Sequence, residues 1–377
     1  MGETQRPVIC GFVPPYILEA VARSNVNAED SDVVAKAASA ACNHTLKHIT
    51  TYHEHRYKSV HGNKGLAKQD NQQAPLTADA AVSKSVQRKI YDCKQTDKLP
   101  GKIVRSEGQA RIKDRQVNNV YDGFGITHDF YSEVFGRNSL DDKGLPLNGN
   151  VHYKAADAPA GYNNAFWDGD ALHMVFGDGD DITFDYLTDS LDVIAHELSH
   201  GFVQFSSPLN YESQAGALNE SCADVFGSMT EQWHMKQTAE EADWKVGQTI
   251  FPVAFTGSAL RTFQSWKAYT DDPVFGTDPQ PKHMKDIYTG SDDNGGVHIN
   301  SGIPNHAFYL AATAIGGNSW EKAGKVWYKT MMSGKIPVQC DFETFANVTV
   351  KVAAEEFPDA DVKDKIRDAW VKVGVLT

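Results

Sequence analysis

Cysteine, long apolar runs and positive charge are all scarce in this sequence. Its five cysteines are widely spaced and include no CxxC pair, so neither a disulfide framework nor a thiolate zinc site is indicated. The 36 Lys and Arg residues are outnumbered by 49 Asp and Glu residues, which gives a formal net charge of −13. An acidic chain without a basic stripe is a poor candidate for binding nucleic acid or an anionic membrane.

Membrane spans, export signals and a serine or cysteine nucleophile are also missing. No apolar stretch reaches the roughly 20 residues of a transmembrane helix, and the N-terminus has no apolar core of a signal peptide. No GxSxG motif occurs, and no cysteine has a recognisable nucleophile context. The 41% hydrophobic and 23% charged residues that are present indicate a folded globular protein.

The composition changes along the chain and predicts three parts. Residues 1–75 carry a short apolar opening, Ala-rich helical stretches and a polar, His- and Lys-rich linker, with a boundary expected between 60 and 83. Residues 76–210 are predicted to form a β-rich domain that includes the active-site helix, and residues 211–377 a mainly helical domain. The predicted fold class is α+β, with two domains after a small leader.

Short alternating runs carry the prediction of strands. They are RKIYDC, GKIVRSEG, the aromatic and Gly-rich stretch NNVYDGFGITHDFYSEVFG, and the stretches 150–154 and 171–176. From Leu191 onward apolar residues recur at helical spacing, including at 320–332 and 362–373. We therefore expect a sheet in the first half and helices in the second.

One segment, HELSH at 196–200, carries metal-binding chemistry. Residues four apart lie on one helix face, so His196 and His200 reach a single zinc ion while Glu197 faces its open coordination position. The alternative is an ordinary amphipathic helix whose histidines only cap or pack.

A second segment strengthens the metal hypothesis. Glu220 and Asp224 share one helix face in an otherwise apolar stretch, where carboxylates need partners. One of them can complete a His₂Glu zinc site, and the other can orient a ligand histidine.

These two motifs and three others resemble the thermolysin family of zinc metallopeptidases. The others are NNAFWDG at 163–169, GDGD at 177–180 and DNGGVHIN at 293–300. The resemblance covers about residues 86–377 and implies a two-domain, zinc-dependent endopeptidase. The short leader with its PPY motif is similar to the protealysin-like precursors of that family, which implies a zymogen whose propeptide is an intramolecular inhibitor.

The resemblance implies a role for each residue of the site. One zinc ion is held by His196, His200 and Glu220, and Asp224 accepts a hydrogen bond from a ligand histidine. Glu197 is the general base that takes a proton from the attacking water and delivers it to the leaving amine. Tyr211 and His298 donate hydrogen bonds to the oxyanion, and Asp293 orients His298.

The resemblance also implies how a substrate is held. Asn164 and Ala165 match an edge strand to which an extended peptide adds, and Arg261 matches the arginine that reaches the carbonyl after the scissile bond. Cleavage of proteins or peptides before bulky hydrophobic residues is expected, because the matching pocket is apolar. Its lining residues are Phe184, Leu187, Val193, Val246, Ile250 and Leu260.

Calcium is the point where the sequence departs from the family. Asp192, Glu231 and Asp243 match a paired calcium site, but Lys245 and Gln248 replace two of its acids. Since two adjacent dications need more negative charge than remains, one structural calcium ion is expected.

The leader and the setting of the protein give further expectations. Pro14-Pro15-Tyr16 is predicted to be a stiff, extended segment that docks through its aromatic ring, and Cys10 is a minor candidate for a thiolate ligand of zinc. The family implies a secreted protein, with an intracellular precursor as the alternative, and we expect a monomer. The competing hypothesis is a non-catalytic zinc- or peptide-binding protein, which would need Glu197 or His298 replaced; both are present.

Overall fold

A mixed sheet with helices forms the first half of the described structure, and helices dominate the second half. The computed structural model describes residues 9–24, 41–43, 85–156, 161–358 and 361–377. The predicted α+β class, with a sheet-rich part before a helical part, is confirmed. The predicted linker and its boundary between 60 and 83 lie outside the described residues.

Six strands form the main sheet. They are β1 (Ile9–Gly11), β2 (Arg88–Thr96), β3 (Lys102–Ser106), β4 (Leu147–Tyr153), β5 (Ala165–Asp168) and β6 (His173–Gly177). Their order is β1-β5-β6-β4-β2-β3; β4 is parallel to both of its neighbours, and the other pairs are antiparallel. A separate two-stranded sheet pairs β7 (Lys245–Val246) with β8 (Arg261–Thr262).

The longer helices follow the sheet along the chain, with two exceptions. The exceptions are α1 (Pro15–Ser24) in the leader and α2 (Arg115–Phe135) between β3 and β4. The others are α3 (Leu191–Phe205), α4 (Ser213–Met235), α5 (Asp292–Asn300), α6 (Gly302–Ile315), α7 (Ala323–Met332), α8 (Phe342–Glu356) and α9 (Val362–Lys372). Within the described residues, no helix combines the length and apolar character that crossing a membrane requires.

The prediction of strand through NNVYDGFGITHDFYSEVFG is wrong, because this stretch forms most of helix α2. The Asp114 side chain begins the helix by accepting from the Val117 N–H at 3.1 Å, and Gly136 ends it with φ of 71°. Gly123 lies so close to α3 that a Cβ there would be 2.9 Å from the Ile194 side chain. This glycine therefore permits the close packing of two helices and does not mark a turn.

The leader joins the main sheet as its edge strand. β1 pairs antiparallel with β5, with Gly11 opposite Phe166. Helix α1 begins at Pro15, so the extended conformation predicted for Pro14-Pro15-Tyr16 is wrong. Proline is favoured at the first helical position, since it has no N–H group to leave unsatisfied.

Helices α3 and α4, which carry the two predicted metal motifs, are buried along most of their length and pack closely. A Cβ at Gly227 of α4 would lie 2.8 Å from the backbone oxygen of Asp192 and 3.1 Å from the backbone nitrogen of His196. The rings of Phe202 and Phe226 meet between the helices with their centres 4.8 Å apart. This close approach brings the side chains of the two motifs together.

A histidine held between two carboxylates ties β4 to the start of α2. His152 donates from Nδ1 to Asp178 at 2.8 Å and from Nε2 to Asp114 at 2.9 Å. Burial favours the neutral ring, but the two carboxylates outweigh it and raise the pKa of His152 to about 9. The ring is therefore charged at neutral pH.

We expect the free energy of unfolding to fall as the pH rises from 6.5 to about 9. The folded-state pKa of His152 exceeds its unfolded value, so its stabilisation is complete below pH 6.5 and is lost as the ring deprotonates. Allowing for partial exposure of the ring, the loss is about 1–2 kcal/mol. Denaturant unfolding at several pH values measures it, in a Glu197→Ala background that prevents self-digestion. Adding His152→Gln should flatten this dependence, and an equally steep profile would contradict the assignment.

Candidate metal centre and active site

Helices α3 and α4 bring three metal-ligating side chains to one point. His196 Nε2 and His200 Nε2 are 3.1 Å apart, and each lies 3.6 Å from an oxygen of Glu220. All three side chains are buried. Among the described His, Cys, Asp and Glu residues, they are the one group of three or more with ligand atoms all within 4.8 Å.

The outer ring nitrogen of each histidine is fixed by an acceptor. His196 Nδ1 donates to Asp224 Oδ1 at 2.8 Å, and His200 Nδ1 donates to Asn219 Oδ1 at 2.9 Å. Because Nδ1 carries the proton, both Nε2 lone pairs point at the same position, an arrangement that suits a cation. Asn219 was not singled out from the sequence, where its only signal is its place directly before Glu220.

The residues present fit a zinc ion. Tetrahedral zinc with bonds of about 2.0–2.2 Å separates its ligand atoms by about 3.3–3.6 Å, close to the distances observed here. Burial lowers the pKa of His200 to about 4, so the ring is neutral. Burial acts against the charge of Glu220, but nearby histidines, His298 first, outweigh it and lower the pKa of that carboxyl. Neutral imidazoles and an ionised carboxylate are the forms that bind zinc.

Asp224 connects the metal centre to a buried arginine. Its two oxygens accept from Arg261 Nε at 3.0 Å and Nη2 at 2.9 Å, and Oδ2 also accepts from Asn305 Nδ2 at 2.9 Å. Burial disfavours the charge, but Arg261 and His196 hold the pKa of Asp224 well below its usual range. The carboxylate therefore stays ionised and holds both neighbours in fixed orientations.

Glu197 is fully buried, and neither of its carboxylate oxygens has a hydrogen-bond partner of normal geometry among the described residues. Burial and the negative charge of Glu220 raise its pKa well above the usual value, while the backbone N–H groups of Trp167 and Phe12 act weakly in the opposite direction. A buried carboxyl group with a raised pKa is suited to exchanging a proton near neutral pH.

A left-handed turn positions His298. Residues Asp293 to Gly296 all have φ between 50° and 81°, a conformation that is costly for residues with a Cβ. The turn places both Asp293 oxygens against His298, which donates from its backbone N–H at 2.8 Å and from Nδ1 at 2.6 Å. Burial favours the neutral ring, but Glu220 and Asp293 raise the pKa of His298 to about 9. Tyr211 Oη donates to Glu220 and lies 3.2 Å from His298 Nε2.

The leader passes directly over these groups. His298 Nε2 donates to the Gly11 carbonyl oxygen at 3.0 Å, and Arg261 Nη1 donates to the Phe12 carbonyl oxygen at 3.0 Å. The carbonyl oxygens of Gly11 and Phe12 are thus bound by two residues that were predicted from the sequence to bind the carbonyl groups of a substrate. The Cys10 side chain lies outside the described residues.

The predicted edge-strand residues are paired with the leader. The Phe12 N–H donates to the Ala165 carbonyl oxygen at 3.0 Å. The Val13 N–H donates to Asn164 Oδ1 at 2.9 Å, and Asn164 Nδ2 donates to the Val13 carbonyl oxygen at 3.1 Å. This is the pattern by which an extended peptide adds to a sheet edge.

The Phe12 ring enters an apolar pocket beside His196. The two rings meet edge to face with their centres 5.1 Å apart, and the Arg261 guanidinium lies 4.5 Å from the Phe12 ring centre. A Cβ at Gly247 would lie 3.2 Å from the Phe12 ring, so the backbone at Gly247 packs closely against this ring. Phe12 is the ring in this pocket, whereas Tyr16, the predicted aromatic anchor, packs against the apolar core and interacts with Tyr269. The six predicted pocket residues are at most 1% exposed and share one apolar cluster with Phe12: Phe184, Leu187, Val193, Val246, Ile250 and Leu260.

The structure places the predicted calcium ligands near one another, and burial and then the charges of Asp192 and Asp243 raise the pKa of Glu231 to about 9. It does not, however, gather the ligand atoms of these described residues into one compact group. Asp192 instead accepts from the Ser190 hydroxyl and from two backbone N–H groups. The Gln248 amide, in the orientation that satisfies both neighbours, joins Asp243 to Lys245 at 3.1 Å each. The three carboxylates form no convergent ligand group in the described part of the chain: Asp192, Glu231 and Asp243. The expected calcium ion therefore stays a prediction from the sequence.

Comparison with known proteins identifies the class to which this fold and site belong. Residues 50–204 match the family model of the thermolysin metallopeptidase catalytic domain, and residues 207–375 match that of its alpha-helical domain. The chain belongs to the thermolysin metallopeptidase family, which consists of zinc-dependent endopeptidases.

Several relatives match over nearly the whole chain. An extracellular metalloprotease of Pectobacterium carotovorum subsp. carotovorum is 42% identical over 97% of this chain and 96% of its own. Protease PrtS of a Photorhabdus species is 43% identical over 97% of this chain and 92% of its own. A solved structure, the precursor of the metalloproteinase protealysin from Serratia proteamaculans, superposes with a TM-score of 0.80 at 42% identity, covering 97% of this chain and 99% of that one.

Replacing Asp224 by Ala is expected to weaken zinc binding by about 10- to 100-fold, because His196 loses the acceptor that orients it. Competition with a chromophoric chelator measures the affinity, again in the Glu197→Ala background. Asp272→Asn is a matched control, since Asp272 is also a buried hydrogen-bonded carboxylate, paired with Thr256 away from the metal motifs. Equal zinc affinity in both variants would contradict an orienting role for Asp224.

Proposed function

We propose that the protein is a neutral zinc endopeptidase made as a zymogen, with zinc held by His196, His200 and Glu220. The observation that carries the proposal is the way in which the leader is bound in the site. An extended segment lies antiparallel to β5, presents a carbonyl oxygen to His298 and places an aromatic ring in the apolar pocket. A site that holds a peptide in this way is suited to hydrolysing one.

Zinc, when bound, polarises the carbonyl and lowers the pKa of a water molecule to about 7. Glu197 takes the proton of the attacking water and passes it to the leaving nitrogen. His298 and Tyr211 donate to the oxygen as it becomes negative, at about 2.7–4 kcal/mol for each donor, and Asp293 keeps His298 oriented. No step of this mechanism needs calcium.

Substrate is proposed to follow the path of the leader. Its main chain would pair with Ala165 and Asn164, so most side chains are tolerated, and Arg261 would bind the carbonyl after the scissile bond. The residue after that bond would occupy the pocket of Phe12, where the Arg261 guanidinium beside the ring is already paired with Asp224. Peptide bonds before bulky hydrophobic residues are therefore the proposed targets.

The leader is proposed to be the inhibitor of its own catalytic domain. Beyond Val13 it continues into α1, whose apolar residues Ile17, Leu18 and Val21 are buried. Farther along, Cys42 is buried and accepts a hydrogen bond from Asn163 at 3.2 Å. These contacts, spread along the leader, keep the pocket filled until the chain is cut and the leader leaves.

The setting of the enzyme is proposed from its relatives. The Pectobacterium relative is named as extracellular, which supports a secreted enzyme that acts on proteins or peptides. The monomeric state remains a prediction from the sequence.

Glu197→Ala is expected to lower hydrolysis of a doubly blocked, internally quenched peptide by about 100- to 10,000-fold, because the proton acceptor is lost. Zinc content should stay near that of the parent, since the ligands are unchanged. The variant should also remain full length in a clean host, whereas the parent loses its leader between about residues 60 and 83. Glu343→Ala, at an exposed carboxylate of α8, is the matched control. Full activity of Glu197→Ala would overturn the proposed chemistry.

A peptide series that differs only after the scissile bond tests the pocket. We expect Phe, Leu, Ile and Val to give kcat/KM values about 10- to 100-fold above those for Asp or Lys, as burial of a large apolar side chain contributes about 1.5–3 kcal/mol. A library in which charged residues are preferred at this position would refute the assignment of the pocket.

A further inference from the structure

The Gly11–Phe12 bond of the leader has the surroundings of a bond about to be cleaved. Its carbonyl oxygen accepts from His298 at 3.0 Å, and the Phe12 ring lies against His196. The Phe12 N–H donates to the Ala165 carbonyl oxygen at 3.0 Å. The carbonyl oxygen, the amide nitrogen and the following side chain are therefore each in contact with a residue of the site.

We propose that Gly11–Phe12 is itself a cleavage site, so that the leader inhibits as a slowly hydrolysed substrate bound in the productive direction. This inference rests on the proposed function. It adds a second processing bond, distinct from the cut expected in the linker.

The geometry also explains why the residue before this bond is glycine. A Cβ at position 11 would lie 2.8 Å from Asn164 Nδ2. That nitrogen donates to the Val13 carbonyl oxygen, so a side chain at position 11 would displace the group that clamps the leader. Glycine thus lets Asn164 hold the leader without moving, whereas a substrate with a side chain at this position would need the Asn164 amide to shift.

The step is an ordinary hydrolysis. The bond between the Gly11 carbonyl carbon and the Phe12 nitrogen breaks, and the oxygen of one water molecule becomes the second oxygen of a Gly11 carboxylate. Both water protons end on the Phe12 nitrogen as an ammonium group, with Glu197 transferring the first. No oxidant or other reactant is needed.

The two new ends stay beside each other after the cut. Phe12 and Val13 remain held by Arg261, Ala165 and Asn164, and the preceding residues remain paired with β5. The Phe12 end also stays joined to the catalytic domain through the linker, so while residues 9–11 are paired with β5 the two ends are at high effective concentration and the bond can reform. A substrate held in this way blocks the site although the enzyme acts on it.

The test is oxygen exchange in uncut protein, purified without zinc and separated from chains already cut in the linker. The zinc-loaded parent is incubated in water enriched in oxygen-18, and the tryptic peptide containing Gly11 is analysed by mass spectrometry. Hydrolysis followed by resynthesis places heavy oxygen in the Gly11 carbonyl, and hydrolysis alone gives a chain that begins at Phe12. We expect at least one of these products in the parent and in Phe12→Leu, and neither in Glu197→Ala.

Hydrogen exchange supplies a readout that does not depend on turnover. In the full-length Glu197→Ala protein, the Phe12 and Val13 amides should exchange slowly. Adding Phe12→Leu should leave this protection nearly unchanged, while adding Gly11→Ala should speed exchange by about tenfold or more. Equal protection in the two variants would overturn the role assigned to Gly11.

The outcomes separate this inference from the function on which it rests. If the uncut parent shows no heavy oxygen at Gly11 and no chain beginning at Phe12, while the processed enzyme hydrolyses the quenched peptide, the cleavage site is refuted and the endopeptidase stands. If zinc-loaded, processed protein does not hydrolyse the quenched peptide, the proposed function itself fails.

Discussion

The site depends on one buried carboxylate, Asp224, and the three groups that donate to it. It fixes the His196 ring, takes two hydrogen bonds from Arg261 and a fourth from Asn305. Removing either charged partner would leave a buried charge unpaired, which costs about 3–5 kcal/mol. The orientation of His196 and the binding of the Phe12 carbonyl oxygen by Arg261 therefore depend on the same carboxylate, and neither can change alone.

Inhibition and catalysis draw on the same donors and acceptors. Ala165, Asn164, Arg261 and His298 bind main-chain atoms, so they cannot distinguish the leader from a substrate by its side chains. What distinguishes the leader is covalent attachment, which replaces a bimolecular encounter by a high local concentration. Cutting the linker removes that advantage without altering a single contact in the site, and the leader then competes like any other peptide.

The sequence predicted what local spacing determines and missed what depends on contacts between distant segments. Residues four apart on α3 and on α4 must share a face, so the metal group followed from the motif itself. Asn219 and Phe12 gave no such signal, because their partners His200 and His196 lie elsewhere in the chain. The prediction of strand at 118–136 is wrong because Gly123 serves packing against another helix, which no local pattern records.

Packing also accounts for the loop beside the pocket. Phe251 stacks on Phe255 with ring centres 3.9 Å apart, and Phe184 of the pocket lies 5.4 Å from Phe251. Phe275 completes the group at 5.4 Å from Phe255. Such a wall is held by apolar contact, whose strength depends on temperature and denaturant and not on the concentration of a cation. Removing a cation would then leave this apolar wall of the pocket in place.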